Sequence, residues 1–282
     1  MAGSTAAGRS TLVSTQELEA HLQDWRVFDC RHDLMKPELG EQQYREAHIP
    51  GAAFAHLDRD LSAPRDGRMG RHPLPYPGAF LAWLGQHGVT PDTQVVCYDG
   101  GGGVTAARLW WMLRWVGHDA IAVLDGGFAK WRAEGRPVST AVPHHAHTSY
   151  PVRLRTDAVV GARTIEEGMG RLLLLDARAP ARFRGEQEPI DPVAGHIPGA
   201  GNRFCNDNLG PEGTFKDAAA LREELGRTLG GRAPAEVVHY CGSGVAACHN
   251  VLAMEVAGLG GSKLYAGSWS DWITDPKRPV GR

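Results

Sequence analysis

The sequence predicts an α/β protein made of two tandem, homologous domains, each a mostly parallel sheet flanked by helices. Three observations predict it. Landmarks recur in the same order in the two halves: "AHIPGAAF" at 47–54 returns as "GHIPGAGN" at 195–202, "LDGGFAKW" at 124–131 returns as "YAGSWSDW" at 265–272, and each half closes on Arg-Pro-Val. Short apolar runs bounded by turn residues read as buried parallel strands: "RVFDCR" at 26–31, "QVVCYD" at 94–99, "LLLLDAR" at 172–178 and "EVVHYC" at 236–241. Stretches of helical length follow the second strand of each pair.

Taken in chain order, the opening "MAGSTAAGRSTLV" lacks the apolar core of a secretory signal and reads as a flexible leader. The first domain is expected at 10–143, a polar linker at 144–153 and the second domain at 154–282. Asp29 and Asp176 end strands and are expected to anchor turns, with Arg178 near Asp176 in a similar structural part. In "VTAARLWWMLRWVGH" at 104–118, Leu109, Met112, Leu113 and Val116 share a helical face and Gly117 suits the stop. "VAACHNVLAMEVAGL" at 245–259 spaces Val245, Cys248, Leu252 and Val256 in the same way, with Gly258 at its end. Trp269 and Trp272 are expected to pack the last helix against its sheet.

Composition narrows the function. The 282 residues carry 30 Lys+Arg against 32 Asp+Glu, so no net positive charge is available to hold a nucleic-acid backbone. No run approaches the roughly 18 apolar residues of a membrane span. Five cysteines, an odd number without a signal segment, argue for a reducing, cytoplasmic location rather than a disulfide scaffold.

The two copies differ most at the strand-to-helix turn. The second reads Tyr240-Cys241-Gly242-Ser243-Gly244-Val245-Ala246, and the first reads Tyr98-Asp99-Gly100-Gly101-Gly102-Gly103-Val104. Tyr98 to Gly126 spans 28 positions and Tyr240 to Gly267 spans 27, so the first loop is one residue longer and has an acid where the second has a thiol. Cys241 ends a buried strand, ahead of a helix whose N-terminus carries about half a positive charge. Glycines let such a turn curl its N–H groups inward as an anion nest, which stabilises a thiolate or a persulfide anion.

The tandem layout, the paired "HIPGA" segments, the Cys loop and "GSWSDW" together resemble the two-domain rhodanese and 3-mercaptopyruvate sulfurtransferase family over nearly the whole chain. The resemblance implies two rhodanese-like domains, the first catalytically degenerate with Asp99 in place of Cys. It implies a sulfane sulfur carried as a Cys241 persulfide to a thiol or cyanide acceptor, with no metal and no organic cofactor. Ser243 would assist the proton, together with His48 of the first "HIPGA"; no upstream acid aligns clearly with it, Glu41 being a guess. Arg182 would grip the donor's anionic group, while Gly242, Gly244, Val245 and Ala246 would cradle the sulfur. Neutral Gly242 and Ser243 after the Cys resemble the mercaptopyruvate branch more than the thiosulfate branch. A second Arg expected after "EP" is missing in Glu188-Pro189-Ile190-Asp191-Pro192, and Arg71 or Arg68 of "GRMGRHPLP" are the substitutes.

Other readings compare poorly. A phosphatase-like loop needs Arg six residues after the Cys, where Ala247 stands. Cys248 lies about 10 Å along the helix, too far for a disulfide. His239, Cys241, Cys248 and His249 do not match structural zinc spacing. A redox-sensing or binding module is the non-enzymatic alternative, and delivery of sulfur to a partner protein is compatible with the same persulfide.

Overall fold

The computed structural model describes residues 8–67 and 69–282. Residues 1–7 of the expected leader, and Arg68, lie outside the described residues. The first half contains β1 (Leu12–Val13), α1 (Thr15–Ala20), β2 (Arg26–Asp29), α2 (Leu39–Glu46), β3 (Ala52–Phe54), α3 (Pro77–Gln86), β4 (Val95–Tyr98), α4 (Ala106–Trp115), β5 (Ile121–Leu124) and α5 (Gly127–Ala133). The second contains α6 (Ala162–Gly168), β6 (Leu173–Asp176), α7 (Pro180–Phe183), β7 (Gly201–Asn202), α8 (Ala218–Leu229), β8 (Val237–Tyr240), α9 (Ala246–Val256), β9 (Lys263–Leu264) and α10 (Ser268–Trp272). Leu12–Val13 corrects the leader reading: the pair is a strand, in register with Val123 and Leu124.

Both sheets are parallel. The first has order β1-β5-β4-β2-β3 and the second β7-β6-β8-β9. A parallel bridge from Val159 to Leu264 stands where β1 stands in the first domain, completing the correspondence. The landmarks explain themselves locally. In each copy the strand-end acid chelates the Arg two residues on, Asp29 with Arg31 and Asp176 with Arg178. That Arg in turn donates to the carbonyl before the "HIPGA" His, from Ala47 or Gly195.

One apolar core runs through both domains. It contains Phe28, Val95 and Cys97 of the first sheet, α4, α9, Leu175 and Val237 of the second sheet, and Cys241 just beyond β8. Helices α4 and α9 pack together at its centre, which is why both are buried nearly all round. Leu109, Met112, Leu113 and Val116 are all fully buried there. Trp269 and Trp272 are completely buried on the outer face of the second sheet, beside Ile165 and Tyr240. The strands' carboxyl ends, and the loops that leave them, therefore meet at the domain interface, where α/β sheets place their ligands.

Candidate active site

Cys241 follows β8 and opens the turn into α9. Its amide donates to Ser268 Oγ at 3.0 Å, and its carbonyl accepts from Trp269 N at 3.0 Å. Ser268 holds that position with φ +56°, the sole positive-φ residue other than glycine among the described residues. The Gly244 amide donates to Cys241 Sγ at 3.1 Å. Gly244 needs its φ of +79°, and a Cβ there would lie 2.1 Å from the Ala266 carbonyl oxygen, so only glycine fits. Although Cys241 is 3% exposed, it lines a cavity of about 330 Å³ between the domains.

The cavity gathers most of the expected residues and omits two, Gly244 and His48. Arg182, Arg71, Gly242, Ser243, Val245 and Ala246 line it with Cys241. Arg71 comes from the first domain. Its Nη2 and the Arg182 guanidinium lie 2.7 Å and 3.5 Å from where a Gly242 Cβ would be. Asp191 joins them, accepting from Arg71 Nη1 and from Arg182 Nη2. Glu188 accepts from Arg182 at 2.6 Å and 3.1 Å and from Arg178 at 3.2 Å, which fixes the Arg182 fork. Asp191, in the segment that lacks the expected Arg, is thus the residue that ties a first-domain Arg into the site.

His48 is elsewhere, a correction to the expected site. Its Nδ1 meets the Tyr44 carbonyl at 2.8 Å and its Nε2 the Ala141 carbonyl at 3.1 Å. His196 makes the equivalent bond to Phe183, and both backbones bridge to the end of their own domain, at Ser139 and Gly281. Both "HIPGA" histidines brace a loop. Glu41, the guessed partner acid, pairs with Arg45 and Arg59.

The histidine at the site is His72, which the sequence reading missed. Its Nδ1 lies 2.7 Å from Ser243 Oγ; its Nε2 lies 3.3 Å from Asp58 Oδ1 without forming a hydrogen bond. His56 curls the turn that presents Asp58: its Nδ1 accepts the Asp58 amide at 3.1 Å. Burial, and after it the Arg108 guanidinium, pushes the His72 imidazole down to about 3 against the pull of Asp58. The ring is therefore neutral at pH 7, with its Nδ1 against the Ser243 hydroxyl.

The first domain's loop shows what such a nest holds. Asp99 carboxylate oxygens accept from the amides of Gly101, Gly103, Thr105 and Ala106, and from Thr105 Oγ1, at 2.9–3.4 Å. The loop carries its own anion where the second carries a sulfur.

The family of rhodanese-like domains matches twice, at residues 14–134 and 162–275. The chain belongs to the rhodanese-like family. It is 48% identical over 275 residues to the "Probable 3-mercaptopyruvate sulfurtransferase" of Pseudomonas aeruginosa, covering 95% of this chain and 97% of the relative. It is 39% identical over 281 residues to a "Putative thiosulfate sulfurtransferase SseB" of Mycobacterium tuberculosis, covering 96% of each. Among solved structures, the 3-mercaptopyruvate sulfurtransferase from Leishmania major superposes with a TM-score of 0.85 at 29% identity, over 98% of this chain and 77% of that one. SseA from Escherichia coli gives 0.78 at 29% identity, over 93% and 100%. This rhodanese-like protein is a sulfurtransferase, moving sulfur from a small-molecule donor to a thiol acceptor. Among the described residues no helix is long and apolar enough to cross a membrane.

Proposed function

We propose that the protein takes sulfur from 3-mercaptopyruvate, holds it as a Cys241 persulfide and passes it to a thiol or cyanide. The observation that carries the donor choice is the Ser243–His72 pair in the Cys241 cavity, with Asp58 near the ring. Mercaptopyruvate brings a thiol proton that must move. The Cys241 thiolate attacks the donor sulfur, the carbon–sulfur bond breaks, and its electron pair leaves on the pyruvate enolate. The proton lost by the donor thiol returns to that carbon, giving pyruvate and an enzyme persulfide anion. Ser243 and neutral His72 carry this proton. Arg71 and Arg182 bind the donor carboxylate as a two-residue clamp assembled across the interface. The amides of Gly242 to Ala246 hold the persulfide. An acceptor thiol, small or on a partner protein, or cyanide then takes the outer sulfur and frees the thiolate. No step requires a metal or an organic cofactor. The free cysteines support a reducing, cytoplasmic setting.

Thiosulfate is the second reading, favoured by the two guanidiniums at the loop, which also suit a dianion. Its sulfite leaves without a proton, so it gives the Ser243–His72 pair no task. Comparing kcat/KM for the two donors with one acceptor tests the choice, and thiosulfate turnover equal to or above that of mercaptopyruvate overturns it. Intact mass tests the chemistry: wild type gains one sulfur from the donor and loses it to cyanide, whereas Cys241→Ser gains none. Turnover surviving in Cys241→Ser would reject the persulfide. A redox-sensing module would instead give sulfenic acid or a mixed disulfide.

A further inference from the structure

Arg108 sits in the first turn of α4, completely buried among apolar side chains. Among the described residues no carboxylate pairs with it. Its guanidinium donates to three carbonyls: Gly244 of the Cys loop, His72 of the proton chain and Leu61, each at 3.1 Å. Its Nε has no partner. An arginine stays charged even when buried, and a buried unpaired charge is costly. Something else must answer it.

The answer lies in the loop. The Gly244 carbonyl is pinned from behind by Arg108 Nη1 and by Cys248 Sγ, the latter at 3.2 Å. A planar trans peptide points its N–H opposite its C=O. Pinning that carbonyl therefore turns the Val245 amide the other way and polarises it, beside the Gly244 amide that meets Cys241 Sγ. Burial lowers the Arg108 guanidinium from its ordinary value, and the sulfurs of Cys248 and Cys241 push it back up.

The tandem repeat supplies a control. After the loops, positions in the two domains correspond at an offset of 141, as Gly126 and Gly267 do, so Arg108 corresponds to His249. His249 reaches across the same interface in the opposite direction, its Nε2 2.8 Å from the Gly102 carbonyl of the first domain's loop. Burial pushes His249 down to about 4, so it is neutral. The loop that already contains a carboxylate, Asp99, is braced by a neutral ring. The loop that must stabilise an anionic sulfur is braced by a cation.

We infer that Arg108 is a positioning residue for sulfur transfer, the fixed charge that the first domain places behind the Cys241 loop to stabilise thiolate and persulfide. It rests on the persulfide reading above. The other titratable groups around Cys241 are Arg71, Arg178, Arg182, His32 and His72 at the cavity and the thiols of Cys205 and Cys248. All remain present in the variants proposed.

The experiment is the rate of Cys241 alkylation by iodoacetamide across pH, with sulfur loading from mercaptopyruvate followed by intact mass. Arg108→His installs the neutral residue that the fold accepts at the corresponding site. It should slow alkylation about tenfold at pH 7, with the deficit closing by pH 10, and slow loading by a similar factor. Arg108→Lys keeps the charge without the fork, and should hold the wild-type alkylation profile within about twofold. If Arg108→His does not fold, Arg108→Gln takes its place under the same outcomes. A folded neutral variant that alkylates at the wild-type rate at pH 7 overturns the inference, as does Arg108→Lys losing as much as the neutral variant. Wild type that gains no sulfur defeats the persulfide reading instead, so the two failures are told apart.

Discussion

His72 is the residue whose environment most shapes its chemistry. It is held between Ser243 and Asp58, with Arg108 gripping its own carbonyl, and burial keeps its ring neutral. A group that only carries a proton should matter in proportion to the protons the donor brings. His72→Asn should lower kcat with mercaptopyruvate about 100-fold while leaving thiosulfate turnover within about threefold. Equal losses with both donors would mean that the ring only props the loop. His72 escaped the sequence reading because it has no counterpart to be compared with. The signal was present: the stretch from "HIPGA" to the next helix is longer in the first half than in the second, and that difference between copies contains Asp58, Arg71 and His72.

At the scale of elements, the recurring unit is strand, glycine turn and helix, used twice with different contents. In the first domain the turn encloses Asp99, which burial pushes up from the ordinary carboxylate range although four amides hold it. Asp99→Asn would set an NH₂ group against those N–H donors. It should cost about 1–3 kcal/mol in urea unfolding, with sulfur loading changed less than twofold. A variant as stable as wild type would show that the nest does not need its anion. The turns were legible because glycine, a strand-end residue and a helix start are local signals. The "HIPGA" histidines misled for the same reason: repetition marks a shared structural part, and His48 and His196 brace their loops alike.

For the whole molecule, the interface is both core and active site. Three histidines are buried near it with lowered values: His72 and His239 at about 3, His249 at about 4. His239, two residues before Cys241, has neither ring nitrogen bonded. Each is neutral when folded and becomes protonated on unfolding below about pH 6.5. Their contribution is therefore complete above that pH and is lost as pH falls toward 4, at up to about 1.4 kcal/mol per pH unit for each group. Thermal melts should show Tm falling steeply from pH 6.5 to 4.5, with His239→Leu flattening the slope. A flat Tm across that range would contradict the burial of these rings in neutral form.

The sequence by itself determined the duplication, the parallel sheets, the Cys loop and the thiol at its head, because strand, turn and helix are written in neighbouring residues. It also pointed to Arg182 and Arg71 beside that loop. Only the tertiary structure decided which histidine stands at Ser243, that Asp191 joins two arginines from different domains, and that Arg108 lies behind Gly244. These depend on how α4 and α9 dock, and apolar packing of two helices sets distances between residues more than a hundred positions apart that no local pattern encodes.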